Sequence, residues 1–166
     1  MSEIIKDRAI VEDAWLLLRV ASDGALPELP AQGDVIVPLT LWQTQRDVLL
    51  ARKSKLGVWL APSDEPEAVA ANLDKFAVIA VDFPQVTEGR GYSSARLLRE
   101  RYKYAGEVRA IGDVLQDQIF YLHRCGFNAF AVRADKDIES ALKALDDFSE
   151  TYQVSVEQPQ PLFRRR

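Results

Sequence analysis

The chain is poor in the side chains on which most enzyme and cofactor chemistry depends. Of its 166 residues one is a cysteine, Cys125, and one is a histidine, His123. A single thiol excludes an internal disulfide and a four-cysteine iron–sulfur cluster held by this chain alone. Zinc would have to combine Cys125 and His123 with carboxylates, an uncommon donor set, so no metal site is predicted. A Ser-His-Asp triad would have to use His123, and no G-x-S-x-G segment accompanies it. The dinucleotide fingerprint G-x-G-x-x-G and the Walker phosphate loop are both missing, so no cofactor is identifiable. No apolar run approaches the ~20 residues that span a bilayer. The opening MSEIIKDRAIVED carries charges every few residues and lacks the apolar core of a signal peptide. The expected location is the cytoplasm, with no membrane partner.

What remains is a soluble globular composition, 48% hydrophobic and 28% charged with a formal charge of -4. The first ~30 residues read as short antiparallel strands, with Ile4 and Ile5, Ala9 to Val11 and Trp15 to Val20 as apolar stretches between charged pairs. GALPELPAQGD is a loop by its glycine and proline content. Beyond it, strands and amphipathic segments alternate. DVIVP (34–38) leads into a helix over LTLWQTQRDVLLARK, started near Thr40. LGVWLAP (56–62) precedes a helix carrying Ala68, Val69 and Leu73, capped by Ser63 or Asp64. AVIAVDF (77–83) is an unbroken apolar run, as in a strand covered on both faces. EVRAIG (107–112) and NAFAVR (128–133) are followed by helices over DVLQDQIFYLHRCG and KDIESALKALDDFSETY.

The predicted fold is therefore α/β, with five or so repeated β-α units forming a mainly parallel sheet behind a short antiparallel segment. A partial (β/α) barrel and an open doubly wound sheet both fit. One domain is expected over 1–153, with an N-terminal β segment and loop at 1–33 and the repeats at 34–153. The tail 154–166, ending PQPLFRRR, reads as a flexible end, with a short docking peptide as the alternative. An open sheet edge is compatible with a homodimer.

In such folds ligands bind at the carboxyl ends of the strands, and the longest loop there contains GRGYSSARLLRERYKYAG (89–106). Gly89 and Gly91 would let the backbone come close and take positive φ. Ser93 or Ser94 would start a helix whose first amides face an anion, and Arg90 would add a planar guanidinium. This loop is the candidate oxyanion site for sulfite, sulfate or a phosphate group. An ordinary turn and helix cap is the competing reading. Asp82 and Asp113, both near strand ends, are the candidate acid and base. Asp113 followed three residues later by Gln116 also reads as a capping box. The window 85–112 is net positive within an acidic chain. Arg96, Arg99 and Lys103 line one face of its helix, and Arg109 follows on the next strand, so these four are the candidate partner-binding residues. A solvated face is the alternative, and nucleic acid is not an expected partner at a pI of about 5.1. HRCGF (123–127) reads as a helix end with Gly126 in the left-handed cap, and Cys125 as a small buried residue.

FPQVTEGRGYSSARLLRER (83–101), VRAIGDVLQDQ (108–118) and RCGF (124–127) together resemble a bacterial family of unknown-function proteins. Its members are encoded beside assimilatory sulfite reductase genes and are labelled as oxidoreductases of sulfite reduction. The likeness runs from roughly Val35 to Tyr152 and includes the acidic Glu88 before Gly-Arg-Gly. It implies a role in sulfate assimilation and brings no catalytic residues with it. Reduction of sulfite by six electrons needs siroheme and an iron–sulfur cluster, which one cysteine does not hold. The resemblance therefore implies an accessory that assists sulfite reductase or electron delivery to it, with the reductase or an acidic electron carrier as partner. The other function is a small-molecule enzyme or sensor that binds an oxyanion at Gly89–Ser94.

Overall fold

The structure, a computed structural model, describes residues 2–148 and 153–165. The end of the last predicted helix at 149–152, Tyr152 with it, and the terminal Arg166 lie outside the described residues. The chain opens with a hairpin of β1 (Ser2–Lys6) and β2 (Ala9–Asp13), turned at Asp7 and Arg8, which both take positive φ. Then come β3 (Leu16–Leu17), β4 (Val35–Pro38), β5 (Leu56–Leu60), β6 (Val78–Phe83), β7 (Glu107–Gly112) and β8 (Ala129–Phe130). All eight form one sheet in the order β2-β1-β8-β7-β6-β5-β4-β3. From β4 to β8 each strand pairs in parallel with its predecessor, while β1 lies antiparallel on β8. A doubly wound sheet needs a reversal of strand order, and this one has none among its parallel strands. Crossovers of one hand then put the helices on one face, and the sheet curls into a half-barrel.

The curl follows from connectivity. The edge strands β2 and β3 are joined through Ala14 and Trp15 alone, a link that spans at most about 11 Å. Two ion pairs cross the hollow between strands three places apart in the sheet. Arg19, just beyond β3, meets Asp82 on β6 at 2.9 Å, and Asp13 on β2 meets Arg109 on β7 at 3.0 Å. In a flat sheet these strands would stand roughly 14 Å apart.

Alternation along the strands sorts the core. Ile79, Val81 and Phe83 of β6 face the helices, in one cluster with Trp42, Leu60, Leu98, Ile119 and Phe127. Val78 and Ala80 face the hollow, with Ile36, Trp59 and Ile111, and Trp15, Leu17 and Val20 pack against them. Both faces of β4, β5 and β6 are buried, which is why their sequences read as unbroken apolar runs.

The helices depart from the prediction in detail. The one expected after β4 is two pieces, α1 (Leu39–Thr44) and α2 (Arg46–Leu50), broken at Gln45. The Thr44 hydroxyl donates to the carbonyl of Thr40 at 2.9 Å and competes with helix continuation. The next, Pro66–Lys75, is a 3-10 helix interrupted at Asn72. Helices α3 (Arg90–Glu100), α4 (Gln116–Cys125) and α5 (Ile138–Lys143) follow. Gly126 ends α4 in the left-handed region as expected, at φ 117. One expectation is corrected. Residues 16–17 join the parallel sheet rather than an antiparallel one, because the hollow accepts Leu17 and Val20. Over its described residues the tail makes contacts with α4. Val156 N donates to Arg124 O at 3.0 Å, Arg124 donates to Gln153 O at 2.8 Å, and Ser155 is buried.

Candidate functional site

The carboxyl ends of the parallel strands form a mouth built from Arg19, Trp59 and Asp82. Trp59 is locked by its indole N–H, which donates to the carbonyl of Leu18 at 2.8 Å and ties the two ends of the sheet segment together. The Arg19 guanidinium lies 5.1 Å from the centre of that ring. Its only polar partner among the described residues is Asp82, at 2.9 Å and without hydrogen-bond alignment. The Asp82 side chain is 10% exposed and that of Arg19 is 43% exposed, so an anchored carboxylate holds a guanidinium that still faces solvent. Gly112 makes room for this arrangement. Its φ is +91, and a Cβ there would lie 2.7 Å from Asp82 Oδ1 and 2.4 Å from the carbonyl oxygen of Phe83.

Asp113 stands next to this mouth and joins three loops. Its carboxylate accepts from Arg133 at 2.8 Å and from the amide of Val86 at 3.1 Å. Arg133 also meets Asp135, and hydrogen bonds to the two carboxylates raise its pKa. Gln118 adds bonds to the carbonyl of Val86 and the amide of Leu115. The capping box expected at Asp113 and Gln116 is corrected: α4 starts at Gln116 with Leu115 before it, and the side chain reaching back is Gln118. Thus Asp82 near the end of β6 and Asp113 just beyond β7 lie at and beside the mouth, each engaged by an arginine.

The glycine loop differs from its expected geometry. Neither Gly89 nor Gly91 takes positive φ, and α3 already begins at Arg90, so Ser93 and Ser94 lie inside the helix. The Ser94 hydroxyl donates to the Arg90 carbonyl at 3.4 Å. Gly91 is required by packing instead: a Cβ would stand 2.7 Å from the Phe83 ring. Glu88 brings its own carboxylate to the helix start, accepting from the Arg90 amide at 3.2 Å, with the Arg90 guanidinium 3.6 Å away and 70% exposed.

The basic row also divides. Arg96 and Lys103 face solvent, and Arg96 pairs with Glu100 one turn on at 3.3 Å. Arg99 turns inward instead and donates to the carbonyls of Gly126, Tyr104 and Gly106 and to the Asn128 side chain. Burial lowers its pKa. Arg109 is buried in the hollow between Glu107 at 2.7 Å and Asp13 at 3.0 Å, and Lys6 meets the other Glu107 oxygen at 2.9 Å. A helical wheel does not reveal this, since Arg99 sits at the edge of the apolar stripe and reaches over it. The apolar stretch Trp15 to Val20 predicts a separate antiparallel strand, which does not bring Arg19 beside Trp59 and Asp82. The signal available was an arginine directly after a short apolar run, the pattern of a strand-end residue.

His123 Nδ1 lies 3.2 Å from the Phe127 carbonyl, and burial raises the Cys125 pKa. Among the described residues no group of three or more His, Cys, Asp or Glu side chains is placed to hold a metal ion. No helix of these residues is long and apolar enough to cross a membrane. Comparison with curated proteins finds no match. A family model does match residues 57–163, the span that runs from the second residue of β5 through β8 and holds Asp82, Gly112 and Asp113. With more than half of its length matched, the chain belongs to the DUF934 family of bacterial proteins of unknown function.

Proposed function

We propose that the protein is an accessory of assimilatory sulfite reduction that binds a small oxyanion, sulfite or sulfate, at the mouth of its half-barrel. The observation that carries the reading is the Arg19 guanidinium, set on Trp59 and Asp82 at the strand ends and still open to solvent. A guanidinium has five N–H donors in a rigid fork, so an arginine held on one edge by a carboxylate keeps donors for a planar or tetrahedral anion. The carboxyl ends of parallel strands are where α/β folds bind small molecules. The link to sulfite rests on the resemblance of segments 83–101, 108–118 and 124–127. The glycine loop is the weaker location, because Glu88 already supplies negative charge to the amide of Arg90.

Thermal unfolding with and without sulfite or sulfate tests the site. Either ion should raise the midpoint of the wild-type protein, Arg19→Ala should abolish the shift, and Arg90→Ala should keep it. An equal shift in Arg19→Ala would place the anion elsewhere. The pathway is tested separately by deleting the gene: growth on sulfate should fail and cysteine should restore it.

A further inference from the structure

A second site lies at the opposite end of the molecule, among α4, the segment after α5 and the tail. There a cavity of about 360 Å³ is walled by Phe120 and His123 of α4, Asp146 and Phe148 beyond α5, Arg8 of the first hairpin and Gln158 of the tail. This volume is within the range of small-ligand pockets. We propose that it binds a flat, uncharged heteroaromatic molecule of nucleoside type.

Four observations select that class. The rings of Phe120 and Phe148 stand 5.0 Å apart at 58°, an aromatic corner that offers one face and one edge to a third ring. Phe148 is 63% exposed, so its outer surface is available to a ligand. The charges on the wall cancel: among the described residues it carries two side chains of each sign, Arg8 and Arg165 against Asp146 and Glu157, and Arg8 is paired with Asp146. A balanced wall gives no net attraction to an anion or a cation, and burying a charge there would be costly. The polar groups left suit the edge of a heterocycle. His123 Nδ1 lies 3.2 Å from the Phe127 carbonyl, an acceptor only, so Nδ1–H donates there and Nε2 is left for a ligand. Gln158 offers an amide donor and acceptor, held by a turn in which its backbone N–H bonds the Ser155 hydroxyl at 3.1 Å. The packed tail thus acts as a wall of the site.

Calorimetric titration of the full chain with adenosine, and with ribose as the ring-free control, tests this. Adenosine should bind saturably and ribose should not. Phe148→Ala should weaken adenosine binding roughly tenfold, since stacking of one ring is worth about one decade in affinity, and Phe148→Trp should restore it. Phe148 is largely exposed, so an unchanged melting curve will show that Phe148→Ala is folded. Arg19→Ala should bind adenosine as the wild type does, which separates this site from the mouth. Absence of adenosine binding to the wild type, or equal binding by Phe148→Ala, would overturn the proposal.

Discussion

Two arginines three residues apart on α3 carry the same formal charge and have different roles. Arg99 satisfies three backbone carbonyls and one side-chain amide, so removing it strands three carbonyls in a half-buried place, while Asn128 Oδ1 keeps its bond from the Val108 amide. Arg99→Ala should cost about 2–4 kcal/mol in denaturant unfolding, and Arg99→Lys should recover only part, because an ammonium lacks the planar fork. Arg96→Ala should change stability by less than about 0.5 kcal/mol, as for exposed pairs in general. Equal losses would mean that the inward geometry of Arg99 is wrong. At Gly112 the backbone itself is the constraint. Gly112→Ala should destabilise by about 2–4 kcal/mol through positive φ and contact with Phe83 and Asp82. It should also weaken any anion response at Arg19, since Asp82 would have to move.

Among the elements, α5 depends on its cap. Asp137 accepts from the amides of Glu139 and Ser140 and from the Ser140 hydroxyl. The hydroxyl, then the Glu139 amide, holds its pKa below the usual carboxylate range. The folded value therefore lies below the unfolded one of ~3.9. The contribution of the charged cap is complete above that pH and is lost as pH falls through the lower folded value. Asp135 shifts in the same direction, chiefly through its hydrogen bond from Arg133. Melting temperatures between pH 6 and pH 2.5 should fall, and Asp137→Asn should flatten part of that fall. Identical acid limbs for wild type and variant would remove the cap from the account.

For the whole molecule the decisive features are the ties across the hollow. Arg109 is 2% exposed and neutralises Glu107 and Asp13 in a place where neither carboxylate is well hydrated. Arg109→Met should cost about 3–5 kcal/mol, because it leaves Asp13 without its ion-pair partner and the buried Glu107 with Lys6 alone. Adding Glu107→Gln and Asp13→Asn to that variant should restore much of the loss, as an apolar or neutral hollow has no desolvation cost to offset. If the triple variant is as unstable as the single one, the ion pairs hold the curl through shape rather than charge balance.

The β-α alternation, the left-handed cap at Gly126 and the burial of β4 to β6 were determined by the sequence, because they follow from local periodicity and short-range sterics. Strand β8 is only two residues long, yet its position was readable from the turn before it and the helix signal after it. The tertiary structure alone decided which way each charge points. Arg99, Arg109 and Arg19 differ little in their local sequence, and their roles come from partners 27, 96 and 63 positions away. Packing of α3 against the end of α4 brings Gly126 to Arg99, and curling of the sheet brings Asp13 and Asp82 to Arg109 and Arg19.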